Sequence, residues 1–78
     1  MPTVIKIGPY RFFFYSSDRN EPSHIHVNRE KDTAKFWLNP VRQQRSRGFG
    51  SHELREIQKI VVDNRKQFQE KWDEYFSA

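Results

Sequence analysis

His24 and His26 stand two residues apart in the run His24-Ile25-His26-Val27, whose polar/apolar alternation reads as a strand. Side chains alternate across a strand, so both rings share one face with Cα atoms roughly 6.5–7 Å apart, near enough to meet one ion or one phosphate. Three chemistries are open to such a pair. As metal ligands they need a third donor, and Glu21 just upstream or His52 further along are the available candidates, so the ligand count is thin. As an acid/base pair acting on an RNA backbone, one neutral imidazole takes the 2′-hydroxyl proton while another group protonates the leaving oxygen. As structural residues they pack on Tyr15 or Trp37 and hydrogen-bond the loop backbone. Arg11 and Tyr15 supply a cation and a phenol of the kind that clamps phosphate, so the catalytic set read from the sequence is His24, His26, Arg11 and Tyr15. Against it stands a plain reading in which Arg11 lies on a strand edge and the phenol belongs to the core. With two certain ligands and no Cys, no metal and no cofactor is expected, and a chelator is expected to change nothing.

A second set is electrostatic. Fourteen Lys/Arg against ten Asp/Glu give +4, and the excess is concentrated in residues 1–50. Between Thr33 and Ser51 lie Lys35, Arg42, Arg45 and Arg47 without an acid, a stretch suited to phosphate backbones or to an acidic protein surface. A solvated basic loop would look the same. There is no Gly-rich phosphate loop, no Ser or Cys nucleophile constellation, no spaced carboxylate pair and no H-E-x-x-H, so nucleotide-dependent and thiol chemistry drop out.

The elements that must position these residues follow from patterning. Val4–Ile7 is β-branched and is ended by the turn pair Gly8-Pro9, and Arg11–Tyr15 is too ring-rich for anything but a strand, with Phe12 and Phe14 opposite Arg11, Phe13 and Tyr15. His24–Val27 is a third strand, and Thr33–Leu38 a fourth with Ala34, Phe36 and Leu38 on one face and Thr33, Lys35 and Trp37 on the other. Asn39-Pro40 should stop it, and residues 41–50 read as a basic connector in which a brief fifth strand at Val41–Gln44 is only weakly patterned. Ser51 reads as a helix N-cap, with Glu53 in the first turn. From there Leu54, Ile57, Ile60, Val61, Phe68, Trp72, Tyr75 and Phe76 form one apolar stripe. An unbroken helix over 52–76 would run roughly 37 Å, far longer than a strand of about 20 Å, so a break near Asp63-Asn64 is predicted. The result is one α+β domain over 1–78: an antiparallel sheet of about four strands (1–40), the connector (41–50) and a helical segment (51–78) packed on one face. Apolar residues make up only 35% of the chain, but 15% of it is Phe, Trp or Tyr, so large rings must supply the core. No apolar stretch is long enough for a signal peptide or membrane span, which predicts a cytoplasmic protein.

Several segments together resemble a known family. These are Pro2-Thr3-Val4 with Ile7-Gly8-Pro9-Tyr10-Arg11-Phe12-Phe13-Phe14-Tyr15-Ser16, then Glu21-Pro22 with His24-Ile25-His26-Val27, then Ala34-Lys35-Phe36-Trp37-Leu38. Gly48-Phe49 with Glu53-Leu54-Arg55-Glu56-Ile57 and the closing Trp72 with Glu74-Tyr75-Phe76 complete the set. Over essentially the whole chain they are similar to the small prokaryotic family named domain of unknown function forty-one sixty. Ser23 departs from the Pro of many relatives and leaves the approach to His24 less rigid. Members are commonly encoded beside domain of unknown function twenty-four forty-two, a pairing suspected of being a toxin–antitoxin module. The resemblance thus implies a small partner protein, an antitoxin or other cognate component, but no established chemistry. Joined to the basic stretch and the His pair, it gives the expected function: a component of a toxin–antitoxin-like module with ribonuclease-like activity, metal-independent. The alternative is a non-enzymatic module that binds protein or nucleic acid. RNA is the second expected partner, self-association a further option, and no membrane is expected.

Overall fold

The computed structural model describes residues 3–76. Five strands, β1 (Thr3–Ile7), β2 (Tyr10–Phe13), β3 (His24–Arg29), β4 (Asp32–Leu38) and β5 (Val41–Arg47), pair antiparallel in sequence order. Two helices follow, α1 (Ser51–Asp63) and α2 (Arg65–Phe76), and both pack on one face of the sheet. The expected α+β architecture is present, with five strands where about four were expected. No helix is long and apolar enough to cross a membrane.

The basic connector is the part that differs. Residues 41–47 are a full edge strand, leaving only Gly48, Phe49 and Gly50 to link sheet and helix. β5 is hard to read because Val41 is its one apolar residue and six of its seven residues are exposed. Such a polar, arginine-bearing edge suits a strand whose outer backbone groups must not recruit another chain. Asn39-Pro40 ends β4 as expected, but as a tight turn into β5 rather than as the end of the sheet. Gly48 is required where it stands: its φ is +95°, and a Cβ there would come within 2.1 Å of Asp32 Oδ1.

The core lies between sheet and helices and is built of rings. Phe12 meets Phe68 at 5.1 Å, Phe14 meets Trp72 at 5.3 Å, and Ile57 and Val61 fill the space beneath α1. The helical stripe packs as read, except that Tyr75 remains 46% exposed. The break falls at Asn64, whose backbone N–H and side-chain amide both donate to Ile60 O (3.0 and 2.8 Å), which closes α1. Gly50, not Ser51, is the N-cap, and no side chain caps the first turn.

Glu53 does more than answer the helix dipole. Its Oε2 accepts the Tyr10 hydroxyl at 2.7 Å and pairs with Arg29, which also reaches Asp32 at 3.1 Å, so one carboxylate fastens α1 to β2 and β3. Burial, then the bond to Glu53, pushes the Tyr10 phenol up to about 12. The folded state therefore holds the proton longer than the unfolded chain does. The resulting stability, on the order of 3 kcal/mol at most, is fully present below the ordinary value of 10.0 and is lost as pH rises towards 12. An absorbance titration should show one late-ionising phenol coupled to unfolding, and Tyr10→Phe should remove that step.

Candidate functional site

The strand registers assign the sheet's open face. Phe13 pairs with His26, His24 with Trp37, His26 with Lys35, and Lys35 with Arg45, so Phe13, His26, Lys35, Trp37 and Arg45 project on the side away from the helices, as Arg11 and Tyr15 do by alternation, while His24, at the start of β3, also lies against Trp72 of α2. Strict alternation would send Arg42 to the opposite face from Arg45. A β-bulge prevents this: Lys35 pairs with Arg45 and Phe36 with Gln43, leaving Gln44 as the extra residue, so Arg42 (opposite Trp37), Arg45 and Arg47 (opposite Thr33) share the open face. Among the described strand residues on this face none is acidic, and none of the three arginines makes an ion pair.

At one end of this face the loop between β2 and β3 closes over the histidines. A short 3₁₀ helix, Ser16–Asn20, turns Asp18 inward; its N–H donates to Tyr15 O at 3.0 Å and its Oδ2 accepts the Tyr15 N–H at 2.8 Å, which locks the turn reciprocally. The same oxygen lies 3.0 Å from His26 Nε2 and 3.1 Å from His24 Nε2. All three residues are buried, with exposures of 6% for Asp18, 0% for His24 and 8% for His26. His24 donates Nδ1–H to Pro22 O at 2.9 Å. Rings fix the imidazoles: Phe13 stacks on His26 at 5.4 Å, Tyr15 meets it edge-on at 4.8 Å, and Trp37 and Trp72 flank His24 at 5.6 and 4.9 Å. Ser23, rather than loosening the approach, donates its hydroxyl to Gln69 Oε1 at 2.8 Å and ties the loop to α2.

Burial pushes the His26 imidazole below its ordinary value and outweighs the upward pull of Asp18. It is therefore neutral near pH 7, with Nε2–H directed at the carboxylate, which can only accept. For Asp18, burial pushes upward, but the Tyr15 N–H and the neighbouring His24 and His26 imidazoles more than offset it and hold the carboxyl below the usual range.

Beside the triad runs a groove of about 440 Å³ lined by Phe13, Tyr15, His26, Lys35, Arg45 and Arg47. The structure thus gathers five of the eight residues singled out from sequence, Tyr15, His26, Lys35, Arg45 and Arg47, around one cleft. His24 lies behind it, fully enclosed. Arg11 sits on the same face with its guanidinium 5.1 Å over the Phe13 ring, and Arg42 beside Trp37; neither lines the groove. Of the two candidate third donors, Glu21 is paired with Lys35, which holds its carboxyl below the usual range. His52 projects from α1 with 85% of its side chain exposed, 3.4 Å from Glu56. The donor that does meet the histidines is Asp18, and the spacing Asp18-x5-His24-x-His26 is its one trace in the sequence.

The sequence model of the family described as Domain of unknown function (DUF4160) matches residues 10–73. The chain belongs to that family. The match runs from Tyr10 at the start of β2 to Asp73 in α2, so it contains Asp18, both buried histidines and the whole basic face. No curated protein and no solved structure matches the chain. Membership in the DUF4160 family carries no chemistry of its own, and function has to be argued from the site.

Proposed function

We propose that this DUF4160 protein binds single-stranded RNA on the open face of its sheet. The observation that carries the reading is the β5 bulge, which brings Arg42, Arg45 and Arg47 onto the face that already bears Lys35, Trp37 and Tyr15. Exposed arginines without acidic partners suit phosphates, and the exposed Tyr15 and half-buried Trp37 rings on a sheet suit unpaired bases, the combination by which sheet surfaces bind single strands. In a two-protein module of the kind the family resemblance suggests, this would be the RNA-facing component. Cleavage is not part of the proposal, because a two-imidazole mechanism needs both rings at the scissile phosphate and His24 has no exposed surface.

The test is the salt dependence of binding to a short oligouridylate. Substituting Arg42, Arg45 and Arg47 together by Ala should weaken binding by about tenfold or more at low salt and reduce the logarithmic salt slope by about 0.7 per lost contact, near 2 in all. Trp37→Ala should lose about 1–3 kcal/mol of binding with the slope kept. A binding curve indifferent to salt and to the triple substitution would remove RNA from consideration.

A further inference from the structure

The Asp18–His24–His26 cluster contains a nitrogen that its surroundings leave unused. His24 is fully buried and spends Nδ1–H on Pro22 O, 2.9 Å away. A neutral ring with its proton on Nδ1 carries a lone pair on Nε2. That atom is buried and makes no hydrogen bond, although it lies 3.1 Å from Asp18 Oδ2. Something positive belongs between them.

We propose that Asp18, His24 and His26 bind a divalent first-row transition ion of the zinc class through Asp18 Oδ2 and the two imidazole Nε2 atoms. The three donor atoms lie within 4.8 Å of one another. Tetrahedral coordination with bonds of about 2.0–2.1 Å places neighbouring donors about 3.3 Å apart. The two nitrogens already stand 3.1 and 3.0 Å from the oxygen, close to that separation. His26 would carry its single proton on Nδ1 instead of Nε2, and Asp18 is an anion in any case.

The supporting shell has the form metal sites need. A ligating histidine commonly donates its other N–H to a backbone carbonyl, which fixes tautomer and ring orientation, and His24 does this to Pro22. The Tyr15 N–H orients the carboxylate at 2.8 Å, and Phe13, Trp37 and Trp72 hold the rings. Two nitrogens and one oxygen favour a borderline ion over calcium or magnesium, which take oxygen donors. Three protein ligands leave a fourth position, and the groove beside His26 and Tyr15 is where a water or a ligand atom would reach it. Neither of the third donors suggested by sequence, Glu21 and His52, is involved.

The full-length chain, stripped with chelator and then titrated with Zn²⁺ by calorimetry near neutral pH, should bind one ion per chain and melt at a higher temperature as free zinc rises. Long-range proton–nitrogen spectra of the imidazoles should move Nε2 of His24 and His26 to the metal-bound position while His52 stays still. His26→Gln should weaken binding at least tenfold, and His52→Gln should leave it unchanged. Should His26→Gln fail to fold, the imidazole spectra of the unmodified chain carry the test alone. The proposal is overturned by the absence of saturable binding up to about 100 μM zinc, by zinc held at His52, or by a His24 ring that is protonated on both nitrogens and unmoved by zinc.

Discussion

Asp18→Ala is expected to destabilise the domain by about 3 kcal/mol, the lower end of what removing one partner from a buried charged cluster costs. The carboxylate is 6% exposed, and its Oδ2 accepts the Tyr15 N–H and His26 Nε2–H. Alanine would leave the buried His26 donor and the half-buried Tyr15 N–H without that acceptor, beside a His24 that no solvent reaches. A chain of this length has on the order of 4–12 kcal/mol in total, so the loss is a large fraction of it. Asp18→Asn keeps a carbonyl oxygen of the same shape for the Tyr15 N–H and should lose only about 1–2 kcal/mol. The pH dependence has a definite sign. Because the folded state holds this carboxyl below its ordinary value of 3.8, its contribution is fully present above that pH and fades as pH falls through the lowered value. Urea unfolding of both variants at neutral pH decides the matter: a loss below about 0.5 kcal/mol for Asp18→Ala would mean the triad is not held together by the carboxylate.

The second large effect lies on the other side of the sheet. Phe12→Ala should cost about 3–5 kcal/mol, because the ring has no exposed surface and its removal opens a cavity against Phe68, 5.1 Å away. Its neighbour Phe13 is nearly as buried, at 3%, but faces His26 and Tyr15 beside the groove. Water can enter the space that Phe13→Ala would leave, so that variant should lose about 1–3 kcal/mol and bind RNA less well. Equal losses at the two positions in denaturant midpoints at unchanged slope would contradict the division of the sheet into a helix-covered face and an open one.

That division was legible in the sequence, because alternation in Arg11–Tyr15, His24–Val27 and Thr33–Leu38 is strong and the residues on each face differ in kind. The helix break was legible from length alone. What patterning cannot reveal is a strand with almost no core contact: β5 is held by its ladder to β4, and a ladder leaves no hydrophobic signature. The bulge at Gln44 was invisible for the same reason, yet it decides which way Arg42 points. Asp18 was missed on different grounds. An Asp among Ser, Asn and Pro has the composition of a solvated turn, and only the closure of the 3₁₀ helix onto the start of β3 makes it the hub of two histidines. The thin ligand count read from the sequence therefore came from looking for the third donor at Glu21 and His52, which chain proximity and residue type suggest but the fold does not bring in.

The central claim is that the basic, ring-bearing face of the sheet is the RNA-binding surface, and the most direct test is to map that surface residue by residue. Titrating the isotope-labelled full chain with a short oligouridylate, followed by amide and indole chemical shifts, should perturb His26, Lys35, Trp37, Arg45 and Arg47 together while the exposed side of α1 around Arg55, Lys59 and Val62 stays unchanged. Shifts confined to α1 and α2, or none at concentrations where an oligonucleotide with this many basic contacts should bind, would contradict it.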